Sequence, residues 1–116
     1  MQLSYKTPIW LYPTPIDFRK QINGLVILIS DVCSLKPTSG ELFIFRDRSG
    51  KKIKLLWYDQ NGFWLCYKRL EKGRLKFPSC VDQVMDVTRD QLSWLLSGLD
   101  MMKHQSLPQV QADYFF

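Results

Sequence analysis

A chain of 116 residues with 46% hydrophobic and 14% aromatic content can bury one core and is too short for several. Its sixteen Lys and Arg against eleven Asp and Glu leave a net charge of +5, a balance that favours polyanionic partners. Three cysteines (Cys33, Cys66, Cys80) without a CxxC pair, and a single histidine, His104, exclude a disulfide framework and a Cys/His metal cluster, and the longest apolar run, Leu25 to Ile29, is far short of the roughly 20 residues of a membrane span. These features and the lack of a leader-like N-terminal segment predict a soluble, cytoplasmic protein with reduced thiols and no membrane association.

The first element in chain order is a short strand, Ile9 to Tyr12. Thr14 then has the chemistry of a helix N-cap, with Pro15 at the first helical position and Asp17 placed to reach back to the Thr14 amide. Phe18, Ile22, Leu25, Ile29 and Val32 follow at steps of four and three, the spacing of one helical face. Pro37 and the turn-like Thr38-Ser39-Gly40 end this helix near Cys33 or Leu35.

A run of strands comes next. Leu42 to Arg46, Lys52 to Tyr58 and Phe63 to Leu70 are separated by the turn Asp47-Arg48-Ser49-Gly50 and by Asn61-Gly62, a strong hairpin signal. A short strand, Leu75 to Phe77, follows the turn Glu71 to Arg74, and Val84 to Val87 reads as an edge strand. Thr88 caps a second helix, with Gln91 completing a capping box and Leu92, Leu95, Leu96 and Leu99 as its apolar stripe. The pattern predicts an α+β fold: an antiparallel four- or five-stranded meander with two helices packed on one face. Residues 1–100 form a single domain in this reading, and residues 101–116 a flexible C-terminal tail.

Charge is segregated along this framework. Ten cations fall between residues 46 and 76, namely Arg46, Arg48, Lys51, Lys52, Lys54, Lys68, Arg69, Lys72, Arg74 and Lys76. Only Asp47, Asp59 and Glu71 oppose them, so the segment carries +7, while the rest of the chain has six cations against eight acids. Five aromatic residues are interleaved with these cations. Strand alternation puts Ile53, Leu55, Trp57, Trp64, Cys66, Lys68 and Leu70 on one hairpin face, the natural core face. Lys52, Lys54, Leu56, Tyr58, Phe63, Leu65, Tyr67 and Arg69 lie on the other.

A two-residue Asn61-Gly62 loop would set Lys54 opposite Arg69, a like-charge pairing that profits only from an anion between them. The mixed face suits nucleic acid: Tyr58 and Tyr67 as stacking rings, the cations and the helix pair Arg19 and Lys20 as phosphate contacts. A bland alternative covers the apolar residues with a helix and lets the cations snorkel to water. No catalytic constellation accompanies this surface. Asp17, Asp59 and Asp82 are scattered, and the chain lacks a phosphate-binding glycine loop and a nucleophile elbow.

Several stretches resemble one family. They are Ile9-Trp10-Leu11-Tyr12, Pro15-Ile16-Asp17-Phe18-Arg19-Lys20 with Asn23-Gly24-Leu25, Gly40-Glu41-Leu42-Phe43-Ile44-Phe45-Arg46, Lys52 to Asp59, Asn61 to Arg74, and Gly98-Leu99-Asp100. Together they are similar to the TnpB-type accessory proteins of the insertion-sequence-sixty-six family, over about residues 8 to 100. The resemblance implies a bacterial accessory protein of transposition that assists a separate transposase; the family has no assigned catalytic residues to carry over, and no cofactor is expected. Its expected partners are DNA and the transposase or a sister transposition protein. Docking on such a protein without DNA contact is the alternative reading of the same cations, and the resemblance leaves the oligomeric state open.

Overall fold

The computed structural model describes residues 6–78 and 83–104. Five strands form one sheet in the order β4-β3-β2-β1-β5, built from β1 (Ile9–Leu11), β2 (Leu42–Arg46), β3 (Lys52–Asp59), β4 (Gly62–Arg69) and β5 (Met85–Val87). Three pairings are antiparallel, but β1 runs parallel to β2, with Ile9 beside Leu42 and Leu11 beside Ile44. The sheet is therefore mixed, and only β2 to β4 form the expected meander. A parallel neighbour needs a crossover, and α1 (Ile22–Ile27) lies within it.

The helices do not share a face. Leu25 and Ile29 pack with Phe43, Phe45 and Leu56 on one side of the sheet. On the other side, Leu92 and Leu95 of α2 (Arg89–Leu96) pack with Ile9, Leu11, Leu42, Ile44 and Ile53. The cause is written in β2, where Leu42, Phe43, Ile44 and Phe45 are all buried. A strand apolar on both faces needs cover on both.

The first helix begins later than Thr14 and Pro15 suggest. After β1 the chain continues beside β2, held by Tyr12 N–H donating to the Ile44 carbonyl (2.9 Å) and Ile16 N–H to the Arg46 carbonyl (2.9 Å). These tertiary bonds outweigh the local capping signal. Asp17 accepts from the Arg19 amide and guanidinium instead of the Thr14 amide. Helix α1 runs on into a π-helical stretch, Leu28–Val32, where one extra residue per turn shifts the phase and leaves Val32 exposed.

The β3–β4 hairpin turns at Gln60-Asn61, one residue before the expected loop, with Asp59 opposite Gly62. Gln60 takes the positive φ of 54°. Face parity is unchanged by this shift, but Lys52, not Lys54, opposes Arg69, and Lys54 opposes Tyr67. The register stacks Trp57 on Trp64 (6.2 Å) and sets Tyr58 edge-on to Phe63 (5.0 Å), cross-strand contacts that favour it.

Residues 75–77 form no strand. Leu75 and Phe77 instead join the core on the α2 side as an irregular segment. At the C-terminal side, α3 (Met101–His104) places a fully buried Met101 in the same core, so residues 101–104 are helical where a tail was expected. Cys80, Asp82 and residues 105–116 lie outside the described residues.

Helix α2 has the predicted capping box, with Gln91 N–H donating to Thr88 Oγ1 (3.0 Å) and Thr88 N–H to Gln91 Oε1 (2.9 Å). Thr88→Ala is expected to lower unfolding free energy by about 1 kcal/mol. Urea denaturation should show a lower midpoint at unchanged slope.

Candidate nucleic-acid interface

One end of the sheet is built from two basic turns. In the first, between β2 and β3, the buried Asp47 carboxylate accepts from Ser49 Oγ (2.6 Å) and from the amides of Gly50 (3.1 Å) and Lys52 (3.2 Å). Burial pushes this carboxyl up, but the Ser49 and backbone hydrogen bonds together outweigh it and hold Asp47 below the usual carboxylate range. The acid is thus spent inside the turn, while Arg48 and Lys51 project to solvent.

The second turn follows β4. Leu70 N–H donates to the Lys51 carbonyl (2.7 Å) and Leu75 N–H to the Gly50 carbonyl (2.7 Å), so residues 70–75 are clamped onto the first turn. Gly50, at φ 76°, sits where an added Cβ would meet the Leu75 carbonyl oxygen at 3.6 Å and Arg74 Cβ at 3.8 Å. Gly73, at φ 74°, forms the open tip between the exposed Lys72 and Arg74. Lys52 and Arg69 face each other across the ladder at this same end. Arg69 is paired with Glu71 (2.9 Å), a solvent-exposed contact of small energetic weight. Arg48, Lys51, Lys52, Arg69, Lys72 and Arg74 therefore come together. Arg48, Lys51, Lys52, Lys72 and Arg74 have no ion pair among the described residues.

Lys54 does a different job from the one expected of it. It is 2% exposed, and its Nζ donates to the carbonyls of Phe18 (2.8 Å) and Lys20 (2.7 Å). The ammonium also lies over the Phe18 ring at 4.8 Å and near the Tyr67 ring at 5.9 Å. Desolvation lowers its pKa. Lys54 is thus withdrawn from any phosphate and anchors the segment before α1.

That anchor carries Arg19 and Lys20 to the face that bears Lys52, Tyr67 and Arg69. Arg19 is held by Asp17 (2.6 Å), and this hydrogen bond lowers the Asp17 pKa to about 2. Lys20 is exposed and has no ion pair among the described residues.

The remaining candidates divide. Arg46 reaches the same end but is half-buried, donating to the Asp47 (3.3 Å) and Pro13 (3.4 Å) carbonyls and lying over the Phe77 ring at 4.8 Å. Burial lowers its pKa. Lys68 projects to the opposite face and donates to the Leu96 carbonyl (3.3 Å) at the end of α2, where positive charge suits the helix dipole. Lys76 is exposed next to the buried Leu75, beyond the clamp.

Tyr58 is half-buried and four positions along β3 from Lys54, roughly 13 Å at strand spacing, so it lies apart from the cations. Tyr67 is 55% exposed and stands edge-on to Phe18 at 6.0 Å. Phe18 is the aromatic neighbour that helical periodicity assigned to the core. Its position beside Arg19 and Lys20 was the available signal for a surface role. No group of three or more metal-ligating side chains occurs among the described residues.

A mixed five-stranded sheet with a helix on each face, ending in two clamped basic turns, describes a small α+β protein. The chain belongs to the family described as IS66 Orf2 like protein, whose model matches residues 7–106. This places it among transposition-associated accessory proteins. It is similar to two proteins of Sinorhizobium fredii (strain NBRC 101917 / NGR234). Uncharacterized protein y4hO is 38% identical over 92 residues, covering 79% of this chain and 80% of the relative. Uncharacterized protein y4jC is 32% identical over 94 residues, covering 81% and 80%. No solved structure matches the chain. Among the described residues no helix is long and apolar enough to cross a membrane.

Two outcomes are expected from this geometry. Lys54→Met keeps the side-chain volume but strips two carbonyls of their donor, so it should lower stability by about 2 kcal/mol and accelerate amide exchange at residues 17–20. Asp47, with its folded pKa lowered, stabilises the protein above the unfolded carboxyl pKa and loses that contribution as pH falls through the folded value. The stability advantage of wild type over Asp47→Asn should therefore shrink steadily on acidification in denaturant titrations.

Proposed function

We propose that this protein is a non-catalytic DNA-binding accessory factor of transposition that meets phosphates with the basic end of its sheet. The observation that carries the reading is the pair of backbone bonds from Leu70 to Lys51 and from Leu75 to Gly50. They hold two cationic turns side by side, while the nearby acids are turned inward at Asp47 or paired at Glu71. Arg48 and Arg74 offer forked donors to phosphate oxygens; Lys51, Lys52 and Lys72 act as point charges. Tyr67, exposed and edge-on to Phe18, supplies the ring on which an unpaired base or a sugar stacks. Lys54 and Lys68 serve the fold.

Fluorescence anisotropy with duplex and single-stranded DNA over a salt series tests this. About five phosphate contacts should give a log–log slope of about −4.5 on duplex DNA. Arg48→Ala, Lys72→Ala and Arg74→Ala should each reduce the slope by about 0.9, and Lys68→Ala should leave it unchanged. A salt-independent signal, or a stoichiometric complex with transposase that forms equally well without DNA and survives these substitutions, would overturn the reading.

A further inference from the structure

Among the described residues, strand β4 is an open edge. It lies at the end of the strand order and pairs with β3 through all eight of its residues without a bulge. The two-residue loop makes Asp59 and Gly62 a hydrogen-bonded pair, and Leu70 N–H donating to Lys51 continues the same alternation. Even-numbered residues of β4 therefore direct their amides and carbonyls to β3. Phe63, Leu65, Tyr67 and Arg69 direct theirs outward, and none has a strand partner among the described residues. Natural edges are blunted by charge, proline or bulges. Gly62 to Tyr67 carries none of these, and Trp64 and Tyr67 are 57% and 55% exposed. The opposite edge, β5, is only three residues long and bears Asp86.

We infer that β4 docks on the β4 of a second copy of this chain, antiparallel and centred on Cys66, to give a continuous ten-stranded sheet. The register follows from the pattern of outward groups. Centring on Cys66 pairs Phe63 with the second copy's Arg69 and Leu65 with its Tyr67, so every outward amide and carbonyl of the strand finds a partner. Centring on Leu65 or on Tyr67 leaves one of the four outward residues unpaired within the strand.

Side-chain chemistry agrees with the Cys66 register. Lys68 falls opposite Trp64 and Arg69 opposite Phe63, so each cation meets an aromatic ring, and no like charges oppose each other. Parallel addition in register would align Lys68 and Arg69 with themselves. The two Cys66 side chains meet on the two-fold axis as a non-hydrogen-bonded pair, with Cα atoms about 4.5 Å apart, close enough for a disulfide.

The test uses the full chain without DNA, so it is independent of the phosphate-contact reading. Light scattering over a concentration series should show reversible dimerisation, and mild oxidation should trap a Cys66–Cys66 link identified by peptide mapping. Leu65→Pro removes an outward N–H without touching the β3 ladder and should abolish the dimer while circular dichroism is retained. Cys66→Lys, at an exposed position, opposes two ammonium groups on the axis and should weaken the dimer about tenfold without affecting the monomer fold. A wild-type monomer throughout the series, a dimer undiminished in Cys66→Lys, or a cross-link through Cys33 or Cys80 would overturn the inference. So would a monomer whose outward β4 amides are protected from exchange, because another segment of the same chain would then occupy the edge.

Discussion

The Lys54 ammonium is the interaction on which the arrangement of this molecule turns. It sits in the middle of β3, nearly inaccessible, with two carbonyls of the pre-helical segment as acceptors and two aromatic rings around it. A buried charge without a carboxylate is costly unless its hydrogen bonds are met. Meeting them draws residues 18–20 down onto the sheet. That contact sets where the chain enters α1, and α1 then seals the face made by Phe43, Phe45 and Leu56. One cation out of ten in the basic segment is thereby converted from a surface charge into a bracket.

The other cations show how a single stretch of sequence divides its labour. Arg46 and Lys68 use their donors on backbone carbonyls and lie against Phe77 and the end of α2. Arg69 has Glu71 and Arg19 has Asp17. Those left without a counter-ion are mainly on the two turns, where backbone bonds and a buried carboxylate fix the loops that bear them. Net charge alone overstates the surface available to a polyanion. The arrangement of the acids decides how much of it remains.

Local chemistry was legible wherever a few neighbouring residues decide the outcome. The capping box at Thr88 and Gln91, the turn at Asp47 to Gly50 and the alternation along β3 and β4 all follow from short-range pattern. What failed to show was set by distant partners. The Thr14-Pro15 cap gives way because Ile16 finds the Arg46 carbonyl thirty residues on. The hairpin slips by one residue because Gln60 accepts a left-handed φ and lets Trp57 meet Trp64. The unbroken apolar run Leu42 to Phe45 is buried on both faces, so the helices lie on opposite sides and not on the one face that the sequence pattern assigns to them. In the basic surface, parity placed Lys52, Tyr67 and Arg69 on one side correctly. It could not separate the buried Lys54 from the half-buried Lys52 and the exposed Tyr67 and Arg69, because burial there depends on a segment more than thirty residues away.

The position of β1 has a consequence for how the chain is made. This strand is near the N-terminus, yet it lies inside the sheet, flanked by β2 and β5. The β2–β3–β4 meander can assemble from contacts between close neighbours, but β1 must wait for both flanking strands, and β5 ends at Val87. During vectorial synthesis the nascent chain therefore carries Ile9, Trp10 and Leu11 unsheltered until most of the protein has left the ribosome. Premature truncation upstream of β5 would release not a smaller domain but a meander whose N-terminal strand has one side still open to aggregation.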